Sequence, residues 1–335
     1  MKSLLLASAI SLGLVFGASA QTQHNGRSIN TGGVAGAYHS TFCPPLGPVL
    51  ANAYFQGYRC TPSAGTIDNI QRVLANPSAI GFAQLDVYAR EAATRPQEFE
   101  RLSVIRTDVA CEGLWMISKN PDLDFGRILG LSRRIQFVLP AQASGSTASF
   151  NYLRSIDPEG LGRVPDANIT YLRDATEVIN RISNSNQGEV GFFVQFADPR
   201  NDNIRLMVEN KVRIVPVISR EILRARVGEQ PVYQPQTFQL SQGGVFGIGG
   251  SAVTATTACT PVSLFTGSPD AFAERNAKDD AREMIQRLQQ VDRNSMMPQD
   301  SAMQSILRTA TRLSQAAVDQ AVAGVESARR AVENR

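Results

Sequence analysis

Residues 29–54 read INTGGVAGAYHSTFCPPLGPVLANAY. Ile29 runs into Thr31-Gly32-Gly33, the pattern of a strand end and a tight turn, and a helix is expected from about Pro45 to Phe55. The next residues repeat that order. Gly57 to Thr61 is expected as a short strand, and Gly65-Thr66 opens a second helix. Asp68 falls in its first turn, where a carboxylate suits the positive end of the helix dipole. Ile67, Ile70, Val73 and Leu74 share one helical face. Ala79 to Ala83 then reads as a short buried strand. Strand, helix, strand, helix, strand predicts a parallel sheet and an α/β fold.

Upstream, residues 1–20 have the form of an export leader: Lys2, an apolar run from Leu4 to Phe16, and Ala18-Ser19-Ala20 before Gln21. The run is too short to span a bilayer, and no second long apolar run follows, so a soluble, exported chain is expected. Cleavage after Ala20 leaves 315 of the 335 residues, with Lys+Arg 32 against Asp+Glu 30 once Lys2 is lost. That length suits two domains. The near-neutral balance argues against a nucleic-acid binder.

Downstream, Leu102 to Arg106 and Gly113 to Ser118 are expected as two strands, and Lys119 to Arg133 as a crossover. The pattern then restarts. Arg134 to Leu139 is a strand, Ser144-Gly145-Ser146-Thr147 a small-residue turn, and Ala148 to Ser155 a helix. Ile169 to Leu172, Thr176 to Ser183 and Gly191 to Phe196 continue as strand, helix and strand. TIDNIQRVLANPSAIGFAQ (66–84) parallels ATEVINRISNSNQGEVGFFVQ (175–195), each with Ile-x-Arg, a loop, Gly-Phe and a glutamine. Two similar α/β lobes are implied. Residues 228–250 are expected as a loop or hinge and 251–265 as a return strand. Asp270 to Gln290 reads as a helix, and Pro298 to Asn334 as a long helical tail with one apolar stripe. The stripe suits docking on a lobe or binding a protein partner.

Four cysteines, Cys43, Cys60, Cys111 and Cys259, suggest two disulfides in an exported chain, with three connectivities open. Two histidines and no C-x-x-C argue against a zinc site.

The joint pattern over about 30–110 resembles the periplasmic solute receptors of the TAXI branch of TRAP transporters. The matching residues are Thr31, Gly32, Gly33, Gly36, Tyr38, Gly65, Thr66, Asn69, Ile70, Gly81, Phe82, Gln84 and Asp86, with Ser144-Gly145-Ser146-Thr147 in the second half. His39 departs from the family's second tyrosine, and Cys43 with its two prolines lies outside the pattern. The resemblance implies a two-lobed type II periplasmic binding protein fold with a hinge and a C-terminal helical extension. Lobe I would comprise 25–118 and 251–294, lobe II with the hinge segments 119–250, and the tail 295–335. It further implies a periplasmic location, a small anionic ligand and a TRAP-type membrane permease as partner. It places Cys43 with Cys60 inside lobe I, and brings Cys111 and Cys259 together on neighbouring strands.

Ligands of such sheets sit beyond the carboxyl ends of the strands. The candidate ligand contacts are therefore Gly33, Tyr38, His39, Gly65, Thr66, Gln84, Ser144, Ser146, Thr147 and Gln195. Gly65-Thr66 and Ser144–Thr147 lead into helices, whose free amides favour a carboxylate. A transport receptor is the leading expectation, and a ligand sensor without transport the alternative. An enzyme is disfavoured: no G-x-S-x-G elbow exists, and His39 alone is available as a histidine base. No cofactor is implied.

Overall fold

The computed structural model describes residues 27–34, 36–185, 188–241, 252–296 and 311–334. The leader, residues 1–20, lies outside the described residues. The strands are β1 Ser28–Asn30, β2 Arg59–Thr61, β3 Ile80–Gln84, β4 Leu102–Ser118, β5 Gln136–Leu139, β6 Ile169–Tyr171, β7 Glu189–Gln195, β8 Arg213–Val215, β9 Arg226–Val227, β10 Gln230–Pro231, β11 Gln234–Gln239, β12 Thr254–Gly267 and β13 Thr311–Arg312. The helices are α1 Leu46–Asn52, α2 Thr66–Ala75, α3 Leu85–Thr94, α4 Pro96–Phe99, α5 Phe125–Gly130, α6 Gly145–Ile156, α7 Ala175–Ser183, α8 Asp202–Glu209, α9 Arg220–Arg224 and α10 Arg275–Gln290, followed by a C-terminal helix Gln315–Glu333.

The chain folds into two α/β lobes with one strand order. In lobe I the order is β2-β1-β3-β12-β4; in lobe II it is β6-β5-β7-β4, with β8 on the far side of β4. In each, three strands run parallel and the next runs antiparallel to them. β3 is buried along its whole length, as a strand covered on both faces must be. The repeated Gly-Phe has a packing cause. A Cβ at Gly81 would meet the Phe265 ring at 2.5 Å, and one at Gly191 would meet Ile182, Ile117 and Val178 at 2.8–2.9 Å.

The lobes share two strands. β4 runs unbroken for 17 residues and β12 for 14, and they pair antiparallel from Gly267–Leu102 to Cys259–Gly113. The two separate strands expected over 102–118 are thus one. Polar Thr107-Asp108 marks a bulge: the register passes from Val262–Ala110 to Leu264–Arg106. Arg106 closes it by pairing with Asp108 at 2.6 Å, and donates to the carbonyls of Leu288 and Val291 at the end of α10. The lobe boundary therefore falls inside these strands. Gly113–Ser118 lies in the sheet of lobe II, beside β7, not in lobe I as the sequence suggests. Disulfides join Cys43 to Cys60 in lobe I and Cys111 to Cys259 where the shared strands cross between lobes.

Within the segment expected as a loop over 228–250, the described residues include strands. β9 and β10 form a short hairpin, and β11 pairs along the first half of β12. Residues 242–251 lie outside the described residues. The tail also differs from one continuous helix. β13 adds to the edge of β11, and Ser314 then caps the C-terminal helix by accepting from the Ala317 amide. That helix lies against α5 of lobe II. The approach is close because Gly126 faces the Val325 carbonyl and Gly130 faces Val332. Arg329 donates to the Glu159 carbonyl at 2.7 Å, and Arg220 pairs with Glu326 at 3.1 Å. Among the described residues, no helix is long and apolar enough to cross a membrane.

A Cβ at Gly126 would stand 2.3 Å from the Val325 carbonyl oxygen, so the helices must separate to admit any side chain. Gly126→Val should weaken the docking by about 1–3 kcal/mol, the usual range for overpacking. Hydrogen exchange would report it as faster exchange confined to residues 315–333 and their contacts on α5. Unchanged protection there would mean that the helix is held by its ion pairs alone.

Candidate functional site

A cavity of about 360 Å³ lies between the lobes, at the carboxyl ends of the parallel strands, and is lined by residues 31–41, 65–66, 84, 112, 145–146 and 194–201 in part. Its size is at the small end for ligand pockets. Four turns and one strand build it.

The first turn leaves β1 at Thr31. Thr31 Oγ1 donates to the Thr61 carbonyl at 3.1 Å, and the buried Asn69 side chain donates to the carbonyls of Thr31 and Phe82, both at 2.8 Å. Asn69 on α2 thereby fixes the ends of β1 and β3 together. Tyr38 follows the turn, stacks on Phe82 with centroids 5.3 Å apart, and points its hydroxyl at Glu112.

The two lobes then use the same device. Thr66 Oγ1, at the start of α2, accepts from the amide of Gln84 at the end of β3, at 3.3 Å. Ser146 Oγ, at the start of α6, accepts from the amide of Val194 near the end of β7, at 3.0 Å. Each hydroxyl ties a helix start to the third strand of its lobe. These oxygens are engaged within the protein; what the turns offer a ligand is chiefly backbone amides. The N–H groups of Thr66, Ile67 and Asp68, and of Gly145 and Ser146, have no acceptor within their helices. They bring positive potential into the cleft from both lobes.

Seven of the ten candidate contacts line the cavity: Gly33, Tyr38, Gly65, Thr66, Gln84, Ser146 and Gln195. Three do not. The His39 ring turns back to Thr31 Oγ1, at 3.0 Å from Nδ1. Ser144 caps α6 by accepting from the Thr147 amide. Thr147 is fully buried and donates to the Pro140 carbonyl. Gln84 and Gln195 end equivalent strands but have different partners. Gln195 Oε1 accepts from Asn203 at 3.0 Å. Gln84 Nε2 donates to Glu112 at 2.9 Å, and its Oε1 is buried with no hydrogen-bond partner. This amide reaches lobe II: a Cβ on Gly145 would lie 2.5 Å from Gln84 Oε1.

Sequence reasoning missed Glu112, on the shared strand β4. It is 6 % exposed and accepts from Tyr38 Oη at 2.7 Å and Gln84 Nε2 at 2.9 Å, both on Oε2. The signal was present, as a lone acid between Cys111 and the apolar run GLWMI. It also missed Asp198, Arg200 and Asn201 beyond β7, where Arg200 pairs with Asp198 at 3.0 Å. Behind Glu112, Asp86 is fully buried and accepts from Tyr233 Oη at 3.0 Å. That bond links the start of α3 in lobe I to the segment leading into β11. Burial raises both carboxyls, Glu112 to about 7. The bonds from Tyr38 and Gln84 oppose the rise in Glu112, and the charge of Asp86 adds to it. No cluster of His, Cys, Asp and Glu suited to a metal ion occurs among the described residues.

The architecture is two α/β lobes that share two long strands, with a cleft between them. No protein-family profile matches the chain, and no curated protein matches it in sequence. Solved structures do match. One is the VFT2 domain of BvgS from Bordetella pertussis, at 9 % identity and TM-score 0.42, covering 83 % of this chain and 92 % of that one. Another is an ABC-type phosphate transport receptor from Vibrio cholerae, at 14 % identity and TM-score 0.41, covering 80 % and 96 %. A third is the GluR0 ligand-binding core in complex with L-glutamate, at 12 % identity and TM-score 0.43, covering 84 % and 96 %.

The folded chain holds the Glu112 proton up to about pH 7, whereas an unfolded glutamate loses it near pH 4.3. Protonation therefore favours the folded state, and stability falls as pH rises through this window, then levels off. The share due to Glu112 between about pH 5 and pH 7.5 is about 2–3 kcal/mol. Urea unfolding at those two pH values should show this loss in the wild type. It should be smaller in Glu112→Gln, with the remainder coming from Asp86. Equal losses in both proteins would show that Glu112 titrates normally.

Proposed function

We propose that this protein is a periplasmic solute-binding receptor, not an enzyme. It captures a small organic anion, a carboxylate or an amino acid-like solute, in the cleft between its lobes and delivers it to a TRAP-type membrane permease. The observation that carries the reading is the pair of helix starts, α2 from lobe I and α6 from lobe II, which both border one open cleft and whose first amides have no acceptor within their helices. Separate lobes supply the two halves of an anion site, so a bound anion favours the state in which they meet. Gln84 of lobe I reaches to Gly145 of lobe II, where the absence of a side chain leaves it room. The leader motif and the two disulfides support export to an oxidising compartment. The TAXI-like motif over residues 30–110 supports the transporter partner.

A sensor that keeps the fold without transport would use the same cleft. The C-terminal helix does not favour that alternative, because its apolar residues Val325 and Val332 are already against α5.

Native mass spectrometry of the full mature protein, purified from periplasm, should show a small-molecule mass that is lost on unfolding. Gly145→Val sets a side chain against the Gln84 amide and should displace it from the cavity wall, weakening binding of that molecule by about tenfold or more. An apo mass, together with no thermal shift from carboxylates, amino acids or phosphate, would exclude the receptor reading.

A further inference from the structure

The cation that lines the cleft, Arg200, pairs with Asp198 on the far side from lobe I's strand ends. Glu112 and Asp86 are both buried, and among the described residues neither carboxyl has an ion-pair partner. Buried carboxylates are normally paired with a cation or kept protonated. Asp86 is the better provided, with Tyr233 Oη at 3.0 Å and the Val87 amide at 2.7 Å. Glu112 has two donors, both neutral and both on Oε2. Its neighbour has the complementary deficit: Gln84 Oε1 is a buried acceptor without a donor. A carboxyl without a cation and an amide oxygen without a donor thus flank a single hydrogen bond of 2.9 Å. Both residues line the cavity.

One chemical group corrects both deficits. A primary ammonium brings a positive charge and three donors on one atom. It can meet Glu112 from the cavity and would hold it ionised, and it can take up Gln84 Oε1 as well once that amide turns from Gly145 toward the ligand. A ligand with only negative charge would instead place that charge against a buried acid and leave Gln84 Oε1 unpaired. The helix starts of α2 and α6 supply the opposite preference within the same cavity.

We infer that the ligand is a zwitterion of the free amino acid type, its carboxylate at the amide ends of α2 and α6 and its ammonium at Glu112 and Gln84. Glu112 is the specificity-determining residue. This inference rests on the receptor reading and narrows its substrate class.

The test is isothermal titration of the full mature chain, at about pH 8, with matched pairs that differ only in the amino group: glutamate and glutarate, alanine and propionate, leucine and 4-methylpentanoate. Inorganic phosphate serves as a pure anion. At least one amino acid should bind about 100-fold more tightly than its deaminated counterpart, as a site left with unpaired groups rejects the poorer ligand. Glu112→Gln keeps the shape and an acceptor for Tyr38, and should reduce that preference by about tenfold or more without weakening the counterpart. If the variant does not fold, the wild type at about pH 5 answers the same question. Glu112 then holds its proton, and the preference should narrow. The groups facing Glu112 are Tyr38, Gln84 and Asp86, with the Asp198–Arg200 pair also lining the cavity. Tyr38 keeps its proton throughout. Asp86 is common to the wild type and the variant, so a pH effect present in the first and absent in the second belongs to Glu112. Counterpart acids or phosphate binding as tightly as the amino acids would overturn the zwitterion and leave the receptor reading standing. If no member of the panel binds and the protein from periplasm carries no small molecule, both fall.

Discussion

Everything in this molecule is referred to two antiparallel strands, β4 and β12, that pass through both lobes as one continuous ladder. A sheet that ended at the lobe boundary would leave the lobes joined by loops, and their relative position would be soft. Here the first half of β4 completes lobe I and its second half enters lobe II, while β12 runs the other way. The Cys111–Cys259 disulfide crosses this ladder at the junction, linking residues 148 apart in sequence. A closure that long removes substantial freedom from the unfolded chain. It also fixes the register next to Glu112. The site's acid therefore stands on the shared ladder, next to its disulfide, and the turns around it come from both lobes.

That placement explains why a poorly compensated acid is tolerated. A glutamate at 6 % exposure, without a cation, is destabilising above the pH at which it ionises. The surrounding core can carry such a deficit. Phe82, Trp115, Phe192 and Phe193, on strands flanking the junction, are all fully buried. The deficit matters because it is local and directional. A ligand that supplies the missing charge gains more at this position than it would on an exposed surface, where water competes. On the proposed reading, the stability forgone by the empty protein would be recovered when such a ligand binds.

Much of the fold was legible in the sequence, for definite reasons. The alternation of short apolar runs with Gly/Ser/Thr turns gave the parallel strands of each lobe. The recurrence of Gly-Phe gave the repeat, since Gly81 and Gly191 both make room for side chains crossing the sheet. The pairing of Cys43 with Cys60 and of Cys111 with Cys259 followed the family resemblance. What local pattern could not reveal was continuity through a bulge: Thr107-Asp108 looks like a strand end, and only the Arg106–Asp108 pair and the register shift show the strand continuing. Ser314 was likewise hidden inside a helical stripe whose periodicity runs on either side of it. At the site, glycines and hydroxyls at turns were visible as motifs, but a motif does not say which way a side chain points. Ser144 and Thr147 satisfy their own helix and the Pro140 carbonyl, and His39 satisfies Thr31. Glu112 was passed over because a charged residue at a strand boundary usually faces water, and its partners come from positions 74 and 28 residues away.

The near-symmetry of the lobes makes their difference at the two glutamines informative. Thr66 with Gln84, and Ser146 with Val194, are the same construction built twice, a helix-start hydroxyl holding the end of the third strand. The glutamines that end those strands begin from equivalent positions. In lobe II, Gln195 Oε1 accepts from Asn203, and the Gln195 carbonyl accepts from Trp115, so both oxygens are paired within the lobe. In lobe I, Gln84 turns inward to Glu112 and leaves an acceptor unpaired against the facing helix. Packing alone would favour the satisfied arrangement in both places, because an unpaired buried amide oxygen is unfavourable by about 1–3 kcal/mol. Both glutamines line the cavity, and the exception is the one beside the acid. A duplicated frame accounts for the shape of the cleft; the departure from it at Gln84 and Glu112 is where the proposed chemical preference would arise.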